Sequence, residues 1–533
     1  MSFPESKEAP GRPDLVDEKS SAEDVAVPVV GYGDSETLDA SHDVFITGHP
    51  WRIKGPALAC VLLMTLGSNF ASSSISPLKS TLKKQLGINN AQYAVLDTAD
   101  SLINTILPII SGIAIDYYGP LAGSMYSSIV IVIGAILCGV AASISSYPLL
   151  VVGQIIQGFG STTIETVQSK MYAFYAVGGG LMGFIYGLDI GIGRVYNLMG
   201  KLTAVPIMQN LGSWSWTFWI GAIMCAVSFG INTAFFFYER TFPQESRVPT
   251  GRQAAKRASA GRTVSFRERF DTERRYIAKA VLALPAAYWI FVLSQLLQSG
   301  AVGTYSSNTA DVISVTRNAT TEAAGYTSSL AQVIPIVLTP VLGAFFDRFG
   351  LRMHWVTFTA ALWVIVFALL AYTEVNALCP VLLGSFALAF NALPWAAIMP
   401  LIVADQANLG TAFGIYKALN NCGSVIMDVS AGAIQDRTPT GIHQYDRVFA
   451  FIIAIKSADI IYGALYNQFD RQFLGGVLIS SDKKLRKMAE EDAVAEQRSK
   501  GWLAPKPIVT AISLATVLAA IIVAWVLYLY YSV

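Results

Sequence analysis

Apolar residues in this chain run in long, nearly charge-free blocks, and polar residues are confined to the gaps between them. Thirteen such blocks fall near residues 55–76, 92–115, 121–143, 148–173, 178–204, 215–238, 278–302, 326–346, 355–374, 377–403, 409–434, 447–468 and 507–531. Each is close to the ~20 residues that a helix needs to cross ~30 Å of hydrocarbon. Unpaired backbone N–H and C=O groups are too costly in lipid for an open structure, so the blocks must be helices. The pattern predicts an all-α, polytopic membrane protein. Composition agrees: 53% of the 533 residues are hydrophobic and 14% charged. A mean hydropathy of +0.49 excludes an ordinary soluble enzyme.

The gaps carry the organisation. Six blocks precede a polar stretch at 240–276, six follow it, and one stands apart at the end. The stretch holds Arg240, Arg247, Arg252, Lys256, Arg257, Arg262, Arg267, Arg269, Arg274 and Arg275 against few acids, so the positive-inside rule places it in the cytoplasm. Residues 1–50 are polar and acidic, with no apolar signal segment, and read as a disordered cytoplasmic tail. Bundles are expected at 51–239 and 277–469. A charged cytoplasmic segment follows at 470–506, with Lys483, Lys484, Arg486 and Lys487, and then a thirteenth transmembrane helix at 507–531. The loop between spans 7 and 8 should face the lumen or exterior. It carries the one N-glycosylation sequon, Asn318-Ala-Thr320.

Charge and chemistry narrow the function class. Net charge is +1, so no nucleic-acid partner is implied. The five cysteines sit in or beside apolar runs and show no metal spacing, which makes them packing residues. No phosphate loop, histidine cluster or nucleophile arrangement is present. Neither a cofactor nor an enzyme activity is expected, and any transport must run on a gradient.

An internal repeat adds to this. Span 2 ends Gly112-Ile-Ala-Ile-Asp116-Tyr-Tyr-Gly119 and span 8 ends Gly343-Ala-Phe-Phe-Asp347-Arg348-Phe-Gly350. Both are G-x-x-x-D-x-x-G, and both close the second span of their half. The chain thereby resembles the major facilitator superfamily, whose hallmark is an acidic loop after the second span of each half. The resemblance implies alternating access by two rocking six-helix bundles. In it, the carboxylate caps a neighbouring helix or pairs with a base, latching the cytoplasmic side. The first copy departs from the pattern, with Pro120, Leu121 and Ala122 where basic residues are usual. Span 4 carries Gln154 where many proton-coupled members have Arg, which favours passive facilitation.

A closer resemblance, to the lysosomal dipeptide transporter branch, rests on Leu409-Gly-Thr-Ala-Phe-Gly414, Asn421, Gly423, Ile334 to Gly343, and Gly158-Phe-Gly160 through Gln168 and Tyr172. That branch implies a span-5 arginine for the substrate carboxylate, and Arg194 matches. It also implies a span-4 carboxylate for the ammonium, where this chain has Thr162. Glu165, one turn on, or Asp189 on span 5 are the alternatives. A glycosylated single-span accessory subunit is implied as partner, and an acidic organelle as location.

Polar residues within spans complete the candidates. Gly179, Gly183, Gly187 and Gly191 make a small-residue ridge for close helix contact. Lys417, Asn421, Ser424 and Asp428 form a stripe that lines either a cavity or a helix seam. Lys456 and Asp459 read as a structural pair, and Asp97 and Asp100 as solvated or gating. Asn391, Pro394, Trp395 and Pro400 suggest a broken span 10 beside the cavity, with Trp395 packing on substrate. A dipeptide or amino-acid carrier is the leading reading. An organic-anion or drug carrier, and a non-transporting sensor of the same fold, are the alternatives.

Overall fold

The computed structural model of the chain describes residues 51–75, 78–88, 96, 103–176, 181–242, 247–248, 250, 281–403, 408–439, 441–481, 483–485, 487 and 501–532. The acidic tail, nearly all of the basic loop, Asp97, Asp100, Gly179 and most of 482–506 lie outside these residues. The described residues are mostly helical, with no strand among them. The first half holds α1 (Trp51–Leu63), α2 (Leu66–Ser73), α3 (Lys79–Leu86), α4 (Leu107–Tyr118), α5 (Pro120–Ser143), α6 (Tyr147–Ala176), α7 (Met182–Leu211) and α8 (Ser215–Glu239). The second holds α9 (Ala286–Leu293), α10 (Gln295–Arg317), α11 (Thr321–Ser329), α12 (Val333–Phe349), α13 (Arg352–Tyr372), α14 (Leu378–Ile402), α15 (Leu409–Asp436) and α16 (Asp446–Phe473). Last comes α17 (Pro507–Ser532).

Eight helical stretches among the described residues are long and apolar enough to span a bilayer: Lys54–Ser73, Ala323–Phe349, α5, α8, α13, α14, α16, and Pro507–Tyr530 of α17. The helices expected as spans 2, 4, 5, 7 and 11 fall outside that set. Of these, α4 is apolar but only 12 residues long; the other four carry polar residues that face other protein or a cavity instead of lipid, which lowers their average hydropathy.

The two halves meet along two helix pairs, α4 against α15 and α7 against α12. Both crossings are made by glycine. A Cβ on Gly343 would run into the Gly183 carbonyl, one on Gly187 into the Thr339 carbonyl, and one on Gly112 into the Gly410 carbonyl. The expected glycine ridge is therefore the contact face of α7, and Gly410 and Gly414 give α15 an equivalent one.

Three local features differ from the sequence reading. Span 7 continues through α10 to Arg317 instead of ending near 302, because its polar residues pack on α15 and need no lipid. Span 10 is the continuous helix α14, with Pro394 and Pro400 inside it, and no break at Trp395. Helix α17 lies against α15 and α9. Its leading segment is tied down where the Ala286 and Ala287 amides donate to the Ala504 and Trp502 carbonyls at 3.1 and 2.9 Å. Near its other end, Trp525 Nε1 donates to Thr105 Oγ1 of the first half at 3.0 Å.

Candidate functional site

Two carboxylates, one from each repeat, seal one face of the molecule. Asp116, at the end of α4, reaches across to the start of α15. It accepts the backbone amides of Gly410 and Thr411 at 2.9 and 2.6 Å, and the Thr411 hydroxyl at 2.6 Å. Asp347, at the end of α12, reaches the start of α7 and accepts the amides of Gly183 and Phe184 at 2.6 and 2.9 Å. Each aspartate thus caps a helix of the opposite half. It satisfies orphan N–H groups and places negative charge at the positive end of the dipole.

The chain delivers these carboxylates by stopping both helices sharply. Gly119 follows α4 with φ +97° and Gly350 follows α12 with φ +72°, conformations that favour glycine. Arg348 lies exposed over the Phe349 ring, 5.7 Å from its centroid, and among the described residues does not join the latch contacts.

A further group at this latch face is Lys170 on α6, whose Nζ is 2.5 Å from Asp116 Oδ1 with both side chains 0% exposed. The sequence reading missed it. The available signal was a lysine inside a span with no acid at i±3 or i±4, so its counter-charge had to come from another helix.

A polar cavity of 360 Å³ lies between the halves, within the ~300–1,000 Å³ range of small-molecule sites. Its wall includes Asn69 of α2, Asn104, Gln154, Thr162 and Glu165 of the first half, and Tyr416, Lys417, Asn420 and Asn421 of α15. These residues lie past the latches along each helix. Lys417, for example, is seven residues beyond Gly410, about 10 Å at 1.5 Å per residue. The cavity therefore sits toward the face opposite the latches.

Its floor is an ion pair between halves, Lys417 Nζ to Glu165 Oε2 at 2.6 Å, with side chains 18% and 48% exposed. An accessible pair of this kind contributes only about 0–1 kcal/mol, so a charged guest can replace either partner at little cost. The fully buried Asp116–Lys170 pair has no such freedom. The Thr162 hydroxyl bonds Asn104 Oδ1. Asn421 Nδ2 donates to the Asn104 carbonyl at 3.2 Å, a second link between halves.

Other sequence candidates lie elsewhere. Arg194 donates from Nη1 to Gln332 Oε1 at 2.6 Å, joining α7 to the turn before α12, and is not part of the cavity wall. It pairs with neither Asp189 nor Glu165 within hydrogen-bonding distance. Asp189 accepts the Tyr172 hydroxyl at 2.9 Å, and lies within Coulombic range of Lys417 and Glu165. Trp395 is buried and packs on Phe291 at 4.6 Å between ring centroids, so it belongs to the core.

The polar stripe on α15 divides. Lys417 and Asn421 face the cavity, whereas Asp428 accepts the Thr304 hydroxyl of α10 at 2.5 Å, making a seam. Lys456 and Asp459 are paired and buried at 2.9 Å, as expected of a structural pair. Asn318 is exposed in a left-handed conformation at the end of α10, and the Thr320 side chain caps α11. Among the described residues no group of His, Cys, Asp and Glu could hold a metal.

The sequence over residues 61–427 matches the family model described as Major Facilitator Superfamily. Among curated proteins, the chain is 23% identical over 397 residues to the mouse lysosomal dipeptide transporter MFSD1, spanning 71% of this chain and 79% of that protein. The human protein of the same name is 24% identical over 405 residues, spanning 73% and 81%. Solved structures share the fold. A proton:xylose symporter, XylE, superposes with a TM-score of 0.60 at 14% identity, covering 79% of this chain and 96% of its own. The human organic anion transporter MFSD10 gives 0.57 at 14%, covering 77% and 99%.

Proposed function

The chain belongs to the major facilitator superfamily, and from that premise we propose that it carries small zwitterions, dipeptides foremost, by alternating access. It would move them out of a lysosome-like or vacuolar lumen. The observation that carries the proposal is the Lys417–Glu165 pair, one charge from each half on the wall of a polar cavity. A zwitterion presents the same two charges and can exchange with the pair, its carboxylate taking Lys417 and its ammonium taking Glu165, with Asp189 in reserve. Binding would then couple the halves through the solute itself, as alternating access about a midplane site requires.

Arg194 has a different part in this reading from the one the resemblance implies. Held by Gln332, it joins the halves beside the cavity, and would reach a carboxylate only if that bond opened. The opposed carboxylate at Glu165 disfavours a carrier of simple organic anions. Gln154 on the cavity wall supplies no charge for proton coupling, so passive facilitation is the proposed mode.

The latch face would be cytoplasmic and the cavity lumen-facing. Asn318, exposed on the loop between α10 and α11, would then lie in the lumen and carry a glycan. A glycosylated single-span accessory subunit is the expected protein partner, to be sought by co-purification.

Uptake by proteoliposomes tests the reading. Dipeptide flux should fall at least tenfold in Lys417→Ala and in Glu165→Gln while both proteins stay monodisperse. Flux of monocarboxylates without peptides would replace the reading with an anion carrier. Absence of any flux would favour a non-transporting sensor. Microscopy of a tagged chain tests the compartment.

A further inference from the structure

A second cavity lies apart from the polar one: an open groove of 440 Å³ between α13 and α16 on the outside of the second half. We propose that it binds one anionic phospholipid of the leaflet on the latch side, headgroup on Arg471 and His354 and an acyl chain along the helix seam.

The groove's chemistry is graded along its length. At the latch end lie Arg471, near the end of α16, and His354, in the first turn of α13, followed by Gln468 and Asn467. Deeper in, the walls become Phe358 and Ala361 of α13 and Ala464 and Ile460 of α16. The spacing on α16, from residue 471 back to 460, is eleven residues, about 16 Å at 1.5 Å per residue. That is half of the ~30 Å hydrocarbon thickness. A groove charged at the interface and apolar to the bilayer midplane has the dimensions of one leaflet. It therefore matches a molecule with a polar head and a tail of that length.

Small side chains make the depression. Ala361 and Ala464 withdraw from a surface where their neighbours project, with Phe358 46% exposed, Ile461 63% and Leu465 66%. Lipid must cover this face because the protein spans a membrane, so the open question is which lipid, and charge decides it. No carboxylate lines the groove. The neighbouring Asp470 carboxylate is engaged by the Leu478 and Ile479 amides at 3.1 and 3.2 Å. Arg471 is exposed, and no described residue forms a hydrogen bond or ion pair with it. Lys483, Lys484 and Lys487, later in the chain, are exposed. A guanidinium offers a planar fork that matches a phosphodiester, and basic groups at this depth attract anionic headgroups.

The inference stands apart from the transport reading and is tested by native mass spectrometry of the full-length protein. The protein is exchanged from detergent into mixtures of phosphatidylglycerol and phosphatidylcholine. One phosphatidylglycerol per chain should be retained preferentially over phosphatidylcholine. Arg471→Ala should weaken retention roughly tenfold, through loss of a charge-assisted hydrogen bond to the headgroup. Arg471→Lys, which keeps the charge and loses the fork, should keep only part of it, and Lys487→Ala should have little effect. Ala464→Leu, which fills the apolar end and leaves the charge alone, should also weaken retention, whereas inorganic phosphate should not compete. Equal retention of the two lipids, or equal effects of Arg471→Ala and Lys487→Ala, would overturn the proposal. So would full competition by inorganic phosphate, which would mark an anion site and no lipid site.

Discussion

Removing the Asp116 charge separates two roles that this carboxylate plays at once. Lys170 and Asp116 belong to the same half, so their ion pair persists when the halves part. The bonds from Gly410 and Thr411 cross between halves and exist only while the latch is closed. Asp116→Asn keeps the size and loses the charge. Its amide nitrogen cannot accept, so at least one of the three cross-half bonds is lost. A hydrogen bond to a charged group is worth about 1.5–3 kcal/mol net. The ratio of latch-open to latch-closed protein should therefore rise roughly ten- to 150-fold, at 1.36 kcal/mol per factor of ten.

The same substitution leaves Lys170 buried without an anion, which costs overall stability about 3–5 kcal/mol. Adding Lys170→Met should recover that stability but leave the latch open. The assay is a distance measurement between spin labels placed across the latch face, read beside a thermal melt of the same samples. An unchanged distance distribution in Asp116→Asn would refute the latch argument. So would a double variant in which closure returned along with the melting temperature.

Further outcomes follow from the same contacts. Gly343→Val places atoms against the Gly183 carbonyl. Overpacking of this kind costs about 1–3 kcal/mol, so the spin-label distances should shift toward the latch-open state; a closed population equal to wild type would count against the crossing. Trp525→Phe removes the bond to Thr105, worth about 0.5–1.5 kcal/mol, and should lower the melting temperature of the full chain. No change would mean that α17 rides on the second half alone. Asn318→Gln should abolish an enzyme-removable glycan and increase gel mobility; a wild-type chain that is never modified would remove this support for the proposed sidedness.

Much of the architecture was legible in the linear pattern. Block length and the cost of bare backbone in lipid dictate helices, and the repeated G-x-x-x-D-x-x-G dictates two related halves. The glycine ridge of α7 could be read too, because period-four glycine has few uses other than close helix contact. Gly183 and Gly187 meet α12 backbone accordingly. The latch was legible in kind, as a carboxylate capping a neighbouring helix. Its partners were not, since α15 begins 293 residues after Asp116 and nothing local points to Thr411 or Lys170.

The cavity shows the limit most clearly. Glu165, Lys417, Arg194 and Asp189 are all ionisable groups within spans, and spacing along one helix ranks them equally. Only the packing of α6 against α15 pairs Glu165 with Lys417, leaves that pair open to solvent, and turns Arg194 aside to Gln332. Trp395 is a similar case, for a tryptophan between two prolines reads as a cavity residue until Phe291 is found packed against it. Sequence fixes a helix and its faces through local backbone geometry and a period of 3.6 residues. Which face meets water depends on how distant helices cross, and that is settled by steric fit and charge pairing between segments far apart in the chain.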